Sequence, residues 1–141
     1  MQQNVSSFYQ ENQIRTADQG RLIVMLYERA IFSLKQAQEK IVAGDYYQRN
    51  QLILKAQNII LELMNSLNFE AGKIAYSLQS LYNYMIRRLI LADQTSDQQI
   101  VQEVIKILSE LKEAWETIAL QPNNISSSRT MDRMRVGVAV R

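Results

Sequence analysis

Apolar residues recur at intervals of three and four along most of this 141-residue chain, the spacing that gathers them on one face of a helix. Four such runs can be read. The first covers residues 18–43 and carries Ile23, Leu26, Ala30, Leu34, Ala37 and Ile41. The second starts at Asp45 with a stripe of Ile53, Ala56, Ile60, Leu63 and Leu67, widened by Leu52, Ile59 and Met64. The third holds Ile74, Leu78, Leu81, Met85, Leu89 and Ala92, and the fourth Ile100 or Val101, Val104, Leu108, Leu111, Trp115 and Ile118.

The breaks between runs have a local chemistry. Asp18 is placed to cap the first helix by accepting an N–H from its open first turn. Gly44 tolerates the left-handed conformation that ends a helix, and Asp45 with Gln48 three residues on reads as a capping-box-like restart. Gly72 marks the next break, and Ser96 with Gln99, or Asp97 alone, opens the fourth run. Pro122 ends the regular pattern. Helices of this length with connections of a few residues predict an all-α fold, an antiparallel up-down-up-down four-helix bundle. The bundle is expected over residues 18–119, with an N-terminal arm at 1–17 and a basic tail at 120–141 outside it.

Composition narrows the chemistry. The chain has no Cys and no His, which removes thiol nucleophiles, Ser-His systems, zinc sites and Glu-x-x-His di-iron sites. Four glycines at Gly20, Gly44, Gly72 and Gly137 compose no phosphate-binding loop. Composition leaves carboxylate or Lys-based catalysis open, but the acidic residues are not embedded in an apolar pattern that would raise a pKa, and the expectation is a binding protein with no cofactor, no metal and no catalytic residue. Residues 1–10 lack the basic and apolar regions of a secretory signal, and the longest apolar run, residues 22–27, is far short of a membrane span. Net charge is +2, but Arg129, Arg133, Arg135 and Arg141 against Asp132 put +3 in the tail, leaving residues 1–119 at −1.

More apolar residues are present than a bundle core requires. Val24, Met25 and Ile31 lie beyond the main stripe of the first helix, and Leu54 and Leu61 sit roughly 100–120° from Ile60 around the second. They read either as broad core faces and singly exposed side chains or as a surface for a partner helix. Tyr27, Tyr76, Tyr82 and Tyr84 fit the rim of a core, hydroxyls reaching water. Phe8, Tyr9 and Ile14 precede the first helix, where a polar arm has no use for them unless they dock. Arg87 and Arg88 read as a solvated or ion-paired face, or as a clamp on a partner's carboxylate. Glu103, Glu110, Glu113 and Glu116 read as a solubilising surface. The arginine tail, sparse and poor in aromatics, reads first as a solubilising tail and otherwise as a contact for nucleic acid or an anionic membrane.

Several segments together resemble the FliS family of flagellar secretion chaperones. Tyr9, Asn12, Ile14, Thr16-Ala17-Asp18-Gln19, Leu22 and Met25-Leu26-Tyr27 are similar to that family's arm Tyr, Asn, aliphatic residue, Thr-Ala-Ser-Pro, Leu and Met-Leu-Tyr. Lys55-Ala56-Gln57-Asn58-Ile59-Ile60 with Glu62-Leu63 is similar to its second-helix signature. Leu81-Tyr82-Asn83-Tyr84-Met85-Ile86-Arg87-Arg88-Leu89 is similar to its third, and Ala114-Trp115 to the end of its fourth. The resemblance covers roughly residues 8–118. Asp18-Gln19 replaces the family's Ser-Pro, Arg21 its usual acid, Arg29 a common Gly, and Ala92-Asp93 its Ala-Asn.

The resemblance implies an antiparallel helical bundle in the cytoplasm that binds the C-terminal segment of flagellin, prevents premature polymerisation and delivers it to FlhA, a component of the flagellar type III export gate. Carried onto this sequence, it makes Met25, Tyr27, Leu54, Gln57, Leu61, Met64, Tyr82 and Arg88 the expected client contacts. Phe8, Tyr9 and Ile14 become the arm that covers the groove and meets the gate. A monomer or weak dimer is expected, with no nucleic acid and no stable membrane insertion. Two other readings compete: a helical adaptor or co-chaperone for another flagellar or secreted client, and a nucleic-acid or membrane binder working through the arginine tail.

Overall fold

The computed structural model describes residues 5–120, with side chains described from 19 to 117. Four α-helices follow one another: α1 (Val5–Ala43), α2 (Tyr46–Asn65), α3 (Lys73–Thr95) and α4 (Gln98–Leu120). No strand occurs among the described residues. Residues 121–141, and with them the arginine tail, lie outside that range.

Each break has an identifiable cause. Gly44 takes φ +71°, its N–H bonds the Ile41 carbonyl at 3.1 Å, and the Asp45 N–H bonds the Lys40 carbonyl at 3.0 Å. This pair of bonds satisfies the open carbonyls of the last turn of α1. The Asp45 carboxylate then accepts the Gln48 N–H at 3.1 Å and starts α2. α3 closes the same way, but with Ser96 rather than glycine at φ 51°. Arg49 bonds the Ser96 hydroxyl and so holds that unfavourable residue in place. Asp97, not Ser96, caps α4, accepting the Gln99 N–H at 2.9 Å. Between α2 and α3 the chain makes a short 3-10 turn, Phe69–Ala71, headed by Asn68, and turns at Gly72 with φ +78°.

The first helix departs from expectation. It begins at Val5, so Asp18 lies within a helix and is not its N-cap. The physical reason is local: Gln19 stands where the resembling family has Pro, and Gln keeps the N–H that lets a helix run through. Residues 5–17 are therefore helical and continuous with the rest of α1. The second helix also stops earlier than Gly72 suggests. Its last residue is Asn65, where Ser66 turns its N–H and hydroxyl onto the carbonyls of Glu62 and Leu63.

The helices form a bundle around one core. α1 lies against α2 and α4, and α3 closes the far side against the same two helices. α1 approaches its neighbours more closely than α3 does. Small buried residues fit this: Ala30, Ser33 and Ala37 on α1 and Ala56 on α2 are buried, and the Ser33 hydroxyl donates to the Leu52 carbonyl at 2.7 Å. α3 instead inserts Tyr82, Met85 and Leu89. Two stripes turn by one residue from their expected setting. Tyr27 and Tyr82 fill the core, while Leu26 and Leu81 are only partly buried beside it. Ile31, read as off the core face, is buried too.

Candidate interaction surface

A polar cluster fixes how α2 and α3 face each other. Asp93 accepts from Arg49 Nε at 2.8 Å through one oxygen and from Asn50 Nδ2 at 2.6 Å through the other. The Arg49 guanidinium also lies over the Tyr46 ring, 5.1 Å from its centre. Asp93 stands at one of the positions where the sequence departs from the resembling family, and both of its carboxylate oxygens are engaged here.

That contact locates the surrounding residues. On α2, Asn50, Leu54, Gln57, Leu61 and Met64 follow at intervals of four, three, four and three, and so share one edge of the helix. On α3, Tyr76, Gln79, Asn83, Ile86, Ile90 and Asp93 follow at three, four, three, four and three. Asn50 and Asp93 belong to these two edges and touch, so the edges line opposite sides of one groove. Leu54 and Leu61 are 42% and 41% exposed, and Ile90 is 44% exposed. Met64, Gln57 and Ile86 are half-buried beneath them, and Tyr76 stands exposed at the far end, its ring 4.9 Å from Phe69.

The groove alternates apolar side chains with the amides of Gln57, Gln79 and Asn83, and neither edge carries a charged residue between the Asp93 contact and Tyr76. At about 1.5 Å per residue, residues 50–64 run for roughly 21 Å, enough to seat four turns of another helix. The leucines and Ile90 offer area to bury, and the amides offer donors and acceptors to backbone at the ends of a bound segment.

The remaining expected contacts fall elsewhere. Tyr27 and Tyr82 expose none of their surface, so neither presents a face to a partner, and the rim setting expected for them is wrong. Their hydroxyls satisfy each other, which is what permits the burial. Burial pushes the Tyr82 phenol up to about 12, eased slightly by its bond from Tyr27. Burial and the neighbouring Tyr82 push Tyr27 well above the phenol range. Tyr76 and Tyr84 do keep to the surface and rim. The Tyr84 hydroxyl donates to Glu103 at 3.0 Å, a bond that raises its pKa.

Arg88 is engaged within the chain, its Nε 2.9 Å from the same Glu103 oxygen, which ties α3 to α4. Met25 is 47% exposed but lies on the outward face of α1 with Leu22 and Phe32, apart from Leu54 and Leu61. The backbones of Phe8, Tyr9 and Ile14 lie in α1, and their side chains are outside the described residues. The sequence pattern alone did not single out Ile86, Ile90, Gln79 and Asn83. Their three-four spacing from Tyr76 was present, masked by the stronger core stripe one residue away. Among the described residues, no group of acidic, His or Cys side chains could hold a metal ion, and no helix is long and apolar enough to cross a membrane.

The family model of the flagellar protein FliS matches residues 1–122. The flagellar secretion chaperone FliS of Bacillus subtilis is 34% identical over 113 residues, 80% of this chain and 84% of that one. The protein of the same name from Salmonella typhimurium is 38% identical over 111 residues, 77% of this chain and 82% of its own. That from Campylobacter jejuni is 32% identical over 120 residues, covering 84% and 94%.

Proposed function

This chain belongs to the FliS family, a family of chaperones and not of enzymes, and from that premise we propose that it is a flagellar export chaperone for flagellin. It binds the C-terminal segment of newly made flagellin in the cytoplasm, keeps it from polymerising and hands it to the export-gate component FlhA. The client lies along the α2–α3 groove, between Leu54 and Leu61 on one side and Ile86 and Ile90 on the other. The helical first segment of α1, with Phe8, Tyr9 and Ile14, serves the gate.

The observation that carries this reading is the pair of facing edges. An uncharged, partly apolar groove about four turns long suits a segment that orders only on binding, because such a client needs extended area rather than a compact pocket. An antiparallel, up-down-up-down order supports a straight groove. It agrees with Arg49 meeting Asp93, Arg88 meeting Glu103, Glu28 meeting Lys112 and Gln38 meeting Gln98, each pair joining early residues of one helix to late residues of another or falling in reversed order along the two. The departure at Arg29 does not narrow this groove, since α1 contributes no edge to it.

Co-purification tests the client. The chain, expressed with flagellin, is expected to retain it, and to lose it when the flagellin C-terminal segment is deleted. Retention of another flagellar protein in place of flagellin overturns the assignment.

A further inference from the structure

A second apolar stripe is left over once the groove is assigned. Leu22, Met25 and Phe32 on α1 are 58%, 47% and 64% exposed and follow at three and seven, with Arg29 between. The contacts of α1 set their direction. Ser33 faces α2 through its bond to Leu52, and Glu28 faces α4 through Lys112, 3.6 Å away. At about 100° per residue, Met25 and Phe32 lie between these two directions, turned toward the α4 side. They look away from both the core and the α2–α3 groove.

The chain itself contains a matching segment. The contact of Lys112 with Glu28 runs opposite to that of Gln98 with Gln38, so eight residues past Lys112 the end of α4 at Leu120 comes level with Gly20. From Gly20 to Phe32 is roughly 18 Å along α1. Residues 121–135 can span at most about 50 Å, more than the distance needed. They are followed by Val136, Gly137, Val138, Ala139 and Val140, the only apolar run beyond α4. Arg129, Arg133 and Arg135 precede it. The α4 edge of the stripe carries Glu113 and Glu116, and among the described residues Lys112 is the one cation paired with Glu116, at 3.2 Å, and with Glu28. Arg21 flanks the stripe and Arg29 lies within it, so the uncharged run seats there and the tail arginines reach the α4 carboxylates.

We propose that residues 136–140 dock on the Leu22–Met25–Phe32 face of α1 in the same molecule, covering apolar surface that is separate from the client groove. The docking shields a patch that would otherwise favour association. It leaves Leu54, Leu61 and Ile90 open to the client.

The absence of Cys makes the test direct. Val138→Cys in the full chain carries a nitroxide spin label, and the backbone amide signals of the ¹⁵N-labelled protein are recorded in dilute solution. The expected result is selective loss of amide signals from residues 22–32, and their return when Phe32→Asp or, as a milder change, Met25→Ser is added. Both changes fall on exposed residues, and circular dichroism checks that the bundle is kept. Undiminished signals on α1 overturn the proposal. So does loss at Leu54 and Leu61 instead. So does loss seen in a mixture of spin-labelled unenriched chains with unlabelled ¹⁵N chains, which would make the occupant a second copy.

Discussion

The Tyr27 and Tyr82 hydroxyls meet 2.5 Å apart inside the bundle, joining α1 to α3 across 55 residues of sequence. Neither side chain has any exposed surface, so each hydroxyl depends on the other. Trp115 Nε1, also buried, has no hydrogen-bond partner among the described residues, yet lies close enough to Tyr27 to ease its ionisation slightly. Tyr27→Phe or Tyr82→Phe alone strands the remaining hydroxyl and is expected to cost about 1–3 kcal/mol. The double change is expected to cost less than the two singles together, since it leaves no orphaned oxygen. Urea unfolding of the four proteins measures the cycle; additive losses would mean that the hydroxyls do not share a bond.

The same pair sets a pH limit. Tyr82 titrates at about 12 in the folded chain against 10.0 for a free phenol, and Tyr27 higher still. A folded pKa above the unfolded one means that the unfolded state loses its proton first as pH rises. Stability from Tyr82 is complete below pH 10 and is lost as the pH climbs from about 10 through 12, by about 1.4 kcal/mol for each step of one in pH across that window. With no His, the chain has no side chain whose ordinary pKa falls near 6.5. Denaturation midpoints are expected to fall above pH 10, and Tyr82→Phe is expected to reduce that alkaline slope.

The bundle was legible in the sequence for a simple reason: a three-four apolar spacing has one good solution when the connections are short. Gly44, Asp45, Gly72 and Asp97 were legible because turn and cap geometry is local. The settings of Tyr27 and Tyr82 were not, because burying a phenol depends on a partner 55 residues away that periodicity cannot supply. The start of α1 was misread because a good N-cap residue does not itself stop a helix arriving from before it. Leu54 and Leu61 were recognised as surplus to the core, whereas their partners Ile86 and Ile90 needed the Asn50–Asp93 contact to turn α3 into view. Met25 was grouped with the leucines because sequence alone does not say which outward face a helix shows to which neighbour.

Gly44 is held at φ +71° with nothing within 4 Å of where a Cβ would stand. Gly44→Ala is therefore expected to cost about 1 kcal/mol through backbone strain alone, with no clash. Thermal or urea denaturation reads this directly. A loss several times larger would mean that the α1–α2 corner is packed more tightly than its open surroundings indicate.

Tyr9 belongs to the first turns of α1, ahead of the portion matched in length by α2 and α4. Tyr9→Ala is expected to leave the unfolding transition and flagellin binding unchanged while lowering flagellin secretion. Normal secretion by that variant would remove the first segment of α1 from the delivery step.

Whether the α2–α3 groove holds flagellin is decided by isothermal titration of the flagellin C-terminal segment into the native chain and into Leu61→Asp, Ile90→Asp and Met25→Asp. All three substitutions fall on exposed side chains, and their unfolding midpoints are expected to stay near the native one. A client seated in the groove binds the native chain at micromolar affinity or tighter. It loses at least about tenfold, or 1.4 kcal/mol, with Leu61→Asp and Ile90→Asp, and changes little with Met25→Asp. Native affinity in both groove variants, or a loss confined to Met25→Asp, would put flagellin elsewhere on the bundle.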